Sequence, residues 1–111
     1  MLPRDTNAHG TIFGGVILSH IDLAGAIAAS RQAPMNFVTR AMREVGFIAP
    51  VYVGDVVSFY TRVLREGKTS VTIEVVVEAE RSEKPRRQVK VTEADVVYVA
   101  VNEDGNPTSI R

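Results

Sequence analysis

The stretch GTIFGGVILSHIDLAGAIAAS, residues 10 to 30, opens on two adjacent glycines, Gly14 and Gly15, and carries one carboxylate, Asp22, in the middle of an apolar run. A carboxylate in such company is costly to bury unless it is paired or reacting. At helical spacing Asp22 shares a face with Leu18, four residues earlier, and Gly25, three residues later. The plain reading is a mid-helix acid turned to solvent; the chemical reading is a general base or a nucleophile. Gly14 and Gly15 also read two ways. They give a loop-to-helix junction the backbone freedom it needs, or they present bare N–H groups at a helix N-terminus to an anionic or polarised oxygen.

These two features cannot converge within one straight helix. Asp22 lies eight residues beyond Gly14, about 12 Å along the axis, whereas reacting groups must meet within about 3 Å. Two antiparallel helices related by a twofold axis would place the N-terminus of one beside the middle of the other. The spacing therefore predicts a homodimer with shared, symmetric sites.

The other candidates carry less. His9 and His20 are the only histidines, and neither has a second ligand at metal-binding spacing, so no metal is expected. Asn7 and His9 precede the helix and could line a pocket, although a turn-forming Asn and a solvated His explain them as well. Arg81, Lys84, Arg86 and Arg87 form a basic cluster that reads as a solvated turn or as a grip for phosphates. There is no phosphate-binding loop, dinucleotide fingerprint or G-x-S-x-G nucleophile elbow.

The elements that must position these residues are legible from periodicity. From Val16 to about Ala33 small and apolar residues recur at helical spacing until Pro34 stops them. This helix is apolar nearly all round, so it should be wrapped by other structure. The rest of the chain switches to strands: FVTRAMREVGFI; VVSFYTRVL after a turn at Gly54 and Asp55; VTIEVVVEAE, with Val71, Ile73, Val75, Val77 and Ala79 on one face; and VKVTEADVVYVAV after the charged turn RSEKPRRQ. Four strands joined by short turns make a mostly antiparallel sheet. A sheet with one apolar face curled around one apolar helix gives an α+β two-layer domain.

Bulk composition agrees with a single domain over residues 1–111. Of the 111 residues 45% are hydrophobic, and 13 basic side chains balance 13 acidic ones. With no net positive field, nucleic acid and anionic membrane are not expected partners. The sequence has no cysteine, which removes disulfides, thiolate metal sites and cysteine nucleophiles and makes a cytoplasmic setting the default. No secretory signal or bilayer-spanning run is present.

Four linked motifs resemble the hot-dog-fold acyl-CoA thioesterases, and within them the YciA-like branch. DTNAHGTIFGG is similar to that branch's opening, SHIDLAGA to its helix segment around the catalytic Asp, GFIAPVYVGDVV to its F-x-x-P-x-x-V-G-D-V-V, and TEADVVYVAVNEDG to its last core strand and turn. The resemblance covers nearly the whole chain in order. It implies a hot-dog fold, a curved antiparallel sheet around one long central helix, working as a homodimer with interface sites, often built further into a tetramer or hexamer. It assigns Asp22 as the catalytic carboxylate and Gly14 or Gly15 as the backbone donor that polarises a thioester carbonyl. Asn7, His9 and Phe13 would line the acyl-CoA pocket, and Arg86 or Arg87 would meet the adenosine phosphates at its rim. The implied reaction is hydrolysis of short- to medium-chain acyl-CoA to the free acid and coenzyme A, with no metal or redox cofactor. The alternative is a non-catalytic acyl-CoA-binding sensor of the same fold. The sequence departs from the branch in three places: MLP stands where the family has an apolar strand, the family's longer C-terminal tail has no counterpart, and His9 and Thr11 replace its usual Asn and Asp.

Overall fold

The computed structural model describes residue 12 and residues 14–81 and 87–110. Helix α1 spans Gly14–Gln32, followed by strands β1 (Asn36–Phe47), β2 (Val56–Glu66), β3 (Ser70–Glu80) and β4 (Gln88–Val101). The helix begins at the Gly14–Gly15 pair and ends where Pro34, which lacks an N–H and clashes with the preceding turn, cannot continue it. The strands form one antiparallel sheet in the order β1-β4-β3-β2, so β1 and β2 are the outer strands.

Strand β3 shows the expected alternation without a break. Val71, Ile73, Val75, Val77 and Ala79 are buried, and the residues between them are not. On β4 Val91, Thr92, Ala94, Val96, Tyr98 and Ala100 are buried, with Thr92 opposite the inward Val77. The strand's change of parity after Val91 follows from a register shift, because Val77 pairs with Thr92 but Glu78 pairs with Lys90. Against this face α1 lays a single stripe four residues apart, Ile17, Ile21, Gly25 and Ala29. Full burial of each isoleucine contributes about 2–3 kcal/mol.

The expectation of a helix wrapped on all sides is only half met. Leu23 and Ile27 are 61% and 49% exposed, because a four-stranded sheet of one chain has only one face to offer. On the opposite face of α1 these two residues form an apolar patch flanked by the exposed Ser19 and Ser30. No helix among the described residues is long and apolar enough to cross a membrane.

Two turns fix the strand ends beside the helix N-terminus. In the turn from Tyr52 to Asp55, the Asp55 N–H donates to the Tyr52 carbonyl at 3.1 Å, and Gly54 takes the positive φ of 97° that its place in the turn requires. Asp55 Oδ2 accepts from the Tyr52 N–H at 2.9 Å and from Arg81 Nη1 at 2.5 Å. This corrects the expectation for Arg81. Its side chain is only 11% exposed and is ion-paired with an Asp55 side chain that is 4% exposed. A second donation, to the Pro50 carbonyl at 2.9 Å, and stacking over the Tyr52 ring complete the clasp.

Candidate active site

Asp22 sits on α1 facing β1 and β4. Thr39 Oγ1 donates to Asp22 Oδ1 at 2.6 Å, and the Tyr98 hydroxyl donates to the Asp22 backbone carbonyl at 2.6 Å while lying 3.3 Å from Oδ1. These two donors are direct cross-strand partners in the β1–β4 register. Immediately after Thr39 the register shifts by one residue, with Ala41 opposite Val97, so the strand is re-aimed where Thr39 leaves it. Thr39 is exposed on the outer strand and Asp22 is half-buried, so the carboxylate lies at an open edge of the sheet. Among the described residues, Oδ2 takes no hydrogen bond. The Tyr98 phenol is held protonated well above its ordinary range, first by burial and then by the charge and hydrogen bond of Asp22.

At the first turn of α1 the two glycines differ. A Cβ on Gly14 would come within 3.1–3.2 Å of the Phe47 ring, whereas a Cβ on Gly15 would meet nothing within 4 Å among the described residues. Gly14 borders a hollow of about 260 Å³ lined also by Ile17, Phe47, Pro50 and Thr92, the loop there being held by the Arg81–Asp55 pair. A larger hollow of about 430 Å³ between α1 and β2 is lined by Ala24, Ile27, Phe59, Arg31 and Arg62, and among the described residues neither Asp22 nor any other acid lines it.

Within one chain, Gly14, Gly15 and Asp22 lie on one continuous helix, about 12 Å apart along its axis, and do not converge. Asn7, His9, Phe13 and Arg86 fall outside the described residues. Arg87 is exposed at the end of the β3–β4 connection, where its carbonyl accepts from the Arg81 N–H at 2.8 Å. His20 is exposed on α1 with its ring 6.1 Å from that of Phe59. Among the described residues no group of three His, Asp or Glu could hold a metal ion.

Thr39 and Tyr98 are the site residues that sequence reasoning missed. Thr39 reads as an ordinary strand threonine and Tyr98 as a core aromatic. Their roles depend on a pairing between residues 59 positions apart, which no local periodicity reports.

The described residues thus form one helix on a four-stranded antiparallel sheet, with a carboxylate at mid-helix and two glycines at its start. Residues 9–85 match the family model described as thioesterase superfamily, and the chain belongs to that family. More narrowly, it is 45% identical over 108 residues to the acyl-CoA thioester hydrolase YciA of Salmonella typhimurium, covering 96% of this chain and 81% of the relative. Among solved structures it is similar to a hexameric hotdog fold thioesterase of Campylobacter jejuni, with a TM-score of 0.93 and 46% identity over 99% of this chain and 84% of that one. It is also similar to a hexameric broad specificity acyl-coenzyme A thioesterase, with a TM-score of 0.90 and 40% identity over 99% and 76% of the two chains.

Proposed function

We propose that the chain hydrolyses acyl-CoA thioesters to the free acid and coenzyme A, as a homo-oligomer whose sites are shared between copies. The observation that carries this reading is the half-buried carboxylate of Asp22, held through Oδ1 by Thr39, with Oδ2 taking no hydrogen bond among the described residues. The similarity to thioesterases named for acyl-CoA supports the substrate class. The sheet edge beside Thr39 and the uncovered face of α1 at Leu23 and Ile27 support association with a second copy. A twofold pair would bring the Gly14–Gly15 turn of one α1 beside Asp22 of the other, and a dimer of this kind is the unit from which a tetramer or hexamer would be assembled.

In that pair the thioester carbonyl oxygen accepts a hydrogen bond from the Gly14 or Gly15 N–H, which stabilises the negative charge that develops as the carbonyl carbon becomes tetrahedral. Asp22 of the other copy takes a proton from the attacking water, or attacks the carbonyl itself. Collapse of the adduct expels the coenzyme A thiolate, which is protonated as it leaves. In the second route an acyl anhydride on Asp22 forms first and water then cleaves it. Neither route requires a metal or redox cofactor. Single turnover in heavy-oxygen water separates them, because only direct attack puts solvent oxygen into the Asp22 carboxylate. Asn7, His9 and Phe13 are proposed to line the acyl and pantetheine path, and Arg86 and Arg87 to meet the adenosine phosphates. The proposed setting is the cytoplasm.

The test is a thiol-release assay over a series of acyl chain lengths. Turnover by the parent supports the reading, while binding of acyl-CoA without release of free thiol at any chain length contradicts it. Alanine at both Arg86 and Arg87 raises KM for acyl-CoA; an unchanged KM removes those two from the site.

A further inference from the structure

Tyr98 occupies an unusual position for a core aromatic. Its ring is 1% exposed, yet its hydroxyl reaches the middle of a helix and donates to a carbonyl already engaged in the helix's own hydrogen bonding. The approach is possible only because residue 25 has no side chain. A Cβ there would collide with the Tyr98 hydroxyl and sit 2.9 Å from Cζ and 3.0 Å from Cε2. Glycine in a helix interior is less favourable than alanine, and here that cost falls at the position, three residues after Asp22, that faces the phenol. The same hydroxyl lies 3.3 Å from the Asp22 oxygen that Thr39 holds from the neighbouring strand.

We propose that Tyr98 is a positioning residue for Asp22, and that Gly25 is the gap that admits it. Its phenol sets the height of the Asp22 backbone against β4, and Thr39, its cross-strand partner, then sets the carboxylate rotation. Together they engage Oδ1 and the backbone carbonyl and leave Oδ2 without a hydrogen bond among the described residues. The helix does not need this bond for its own integrity, since the Asp22 carbonyl keeps its intrahelical partner without it. Loss of the hydroxyl therefore shows in turnover before it shows in folding. The inference rests on the reading of Asp22 as the reacting carboxylate.

The test compares Tyr98→Phe, Gly25→Ala, their double variant and Asp22→Asn, each checked for parent-like circular dichroism, by steady-state acyl-CoA hydrolysis. Tyr98→Phe keeps the ring and is expected to lower kcat about tenfold, with KM within about twofold of the parent. Gly25→Ala displaces the same hydroxyl and is expected to lower kcat by a similar factor. The double variant is then no worse than Gly25→Ala alone, because the hydroxyl contact is already lost there. A parent-like kcat for Tyr98→Phe beside an inactive Asp22→Asn overturns the positioning role and leaves Asp22 in place. A rise in KM equal to the fall in kcat, or strictly multiplicative losses in the double variant, also overturns it. Full activity of Asp22→Asn removes both readings together.

Discussion

At the midpoint of α1, Asp22 meets hydroxyls from two adjacent strands; at its first turn, an added Cβ on Gly15 would meet nothing within 4 Å among the described residues. One helix thus carries a crowded point and a bare one. The difference follows from what each must do. A carboxylate on a rotatable side chain keeps one orientation only if neighbouring donors hold it. A backbone N–H is already aimed by the helix and needs only an unobstructed approach. Pinning at one point and clearance at the other are both expected if two copies are to bring these points together.

The strongest way to break this contrast is Asp22→Asn, which keeps the volume and removes the charge. Its expected effect is a fall in kcat of about a thousandfold with KM nearly unchanged and parent-like thermal unfolding. A tenfold fall or less would place the chemistry elsewhere.

Beside the bare end, the Arg81–Asp55 pair holds the loop that borders Gly14. Asp55→Ala leaves the guanidinium of Arg81 largely buried without its countercharge. Urea unfolding is expected to show a loss of about 3 kcal/mol, whereas a change within experimental error would mean that solvent already screens the pair.

At the pinned end Thr39→Val retains the β-branched shape and deletes one donor. It should lower kcat about tenfold, less than Asp22→Asn, with little change in stability because Thr39 is exposed. An unchanged kcat would leave Tyr98 as the sole support of the carboxylate.

The smallest expected effect is alkaline. Tyr98 binds its proton more tightly in the folded chain than its ordinary value of 10.0 allows, so its contribution to stability is complete below about pH 10 and is lost as pH rises further. Between about pH 9 and about pH 11 the urea midpoint of the parent should fall more than that of Tyr98→Phe. Equal falls would mean that the phenol is not held protonated by burial and Asp22.

Much of this architecture was readable in the residues themselves. The alternation of Val71 through Ala79 announced a strand with one dry face, and Pro34 announced the helix end, because both signals are local. The separation of Gly14 from Asp22 along the axis follows from helix rise alone, so it is legible in the sequence. What stayed hidden depends on long-range register. Thr39 becomes a donor to Asp22 only through β1 pairing with β4, and Gly25 becomes necessary only because Tyr98 arrives from 73 residues away. Arg81 reads locally as part of a solvated basic turn for the same reason, since its partner Asp55 lies on a different turn. Leu23 and Ile27 stay exposed for a different reason: local hydrophobicity asks for burial, but one four-stranded sheet has only one face to offer.

Sharing of the site is decided by mixing two crippled proteins. Asp22→Asn is co-expressed with whichever of Gly14→Pro and Gly15→Pro is less active, each proline removing an N–H in a first turn where proline is tolerated. If each site takes its glycine turn from one copy and its carboxylate from the other, random pairing restores one intact site in every mixed dimer, or about a quarter of the parent's activity. If each site were built within a single chain, the mixture would show no more activity than the two variants measured apart.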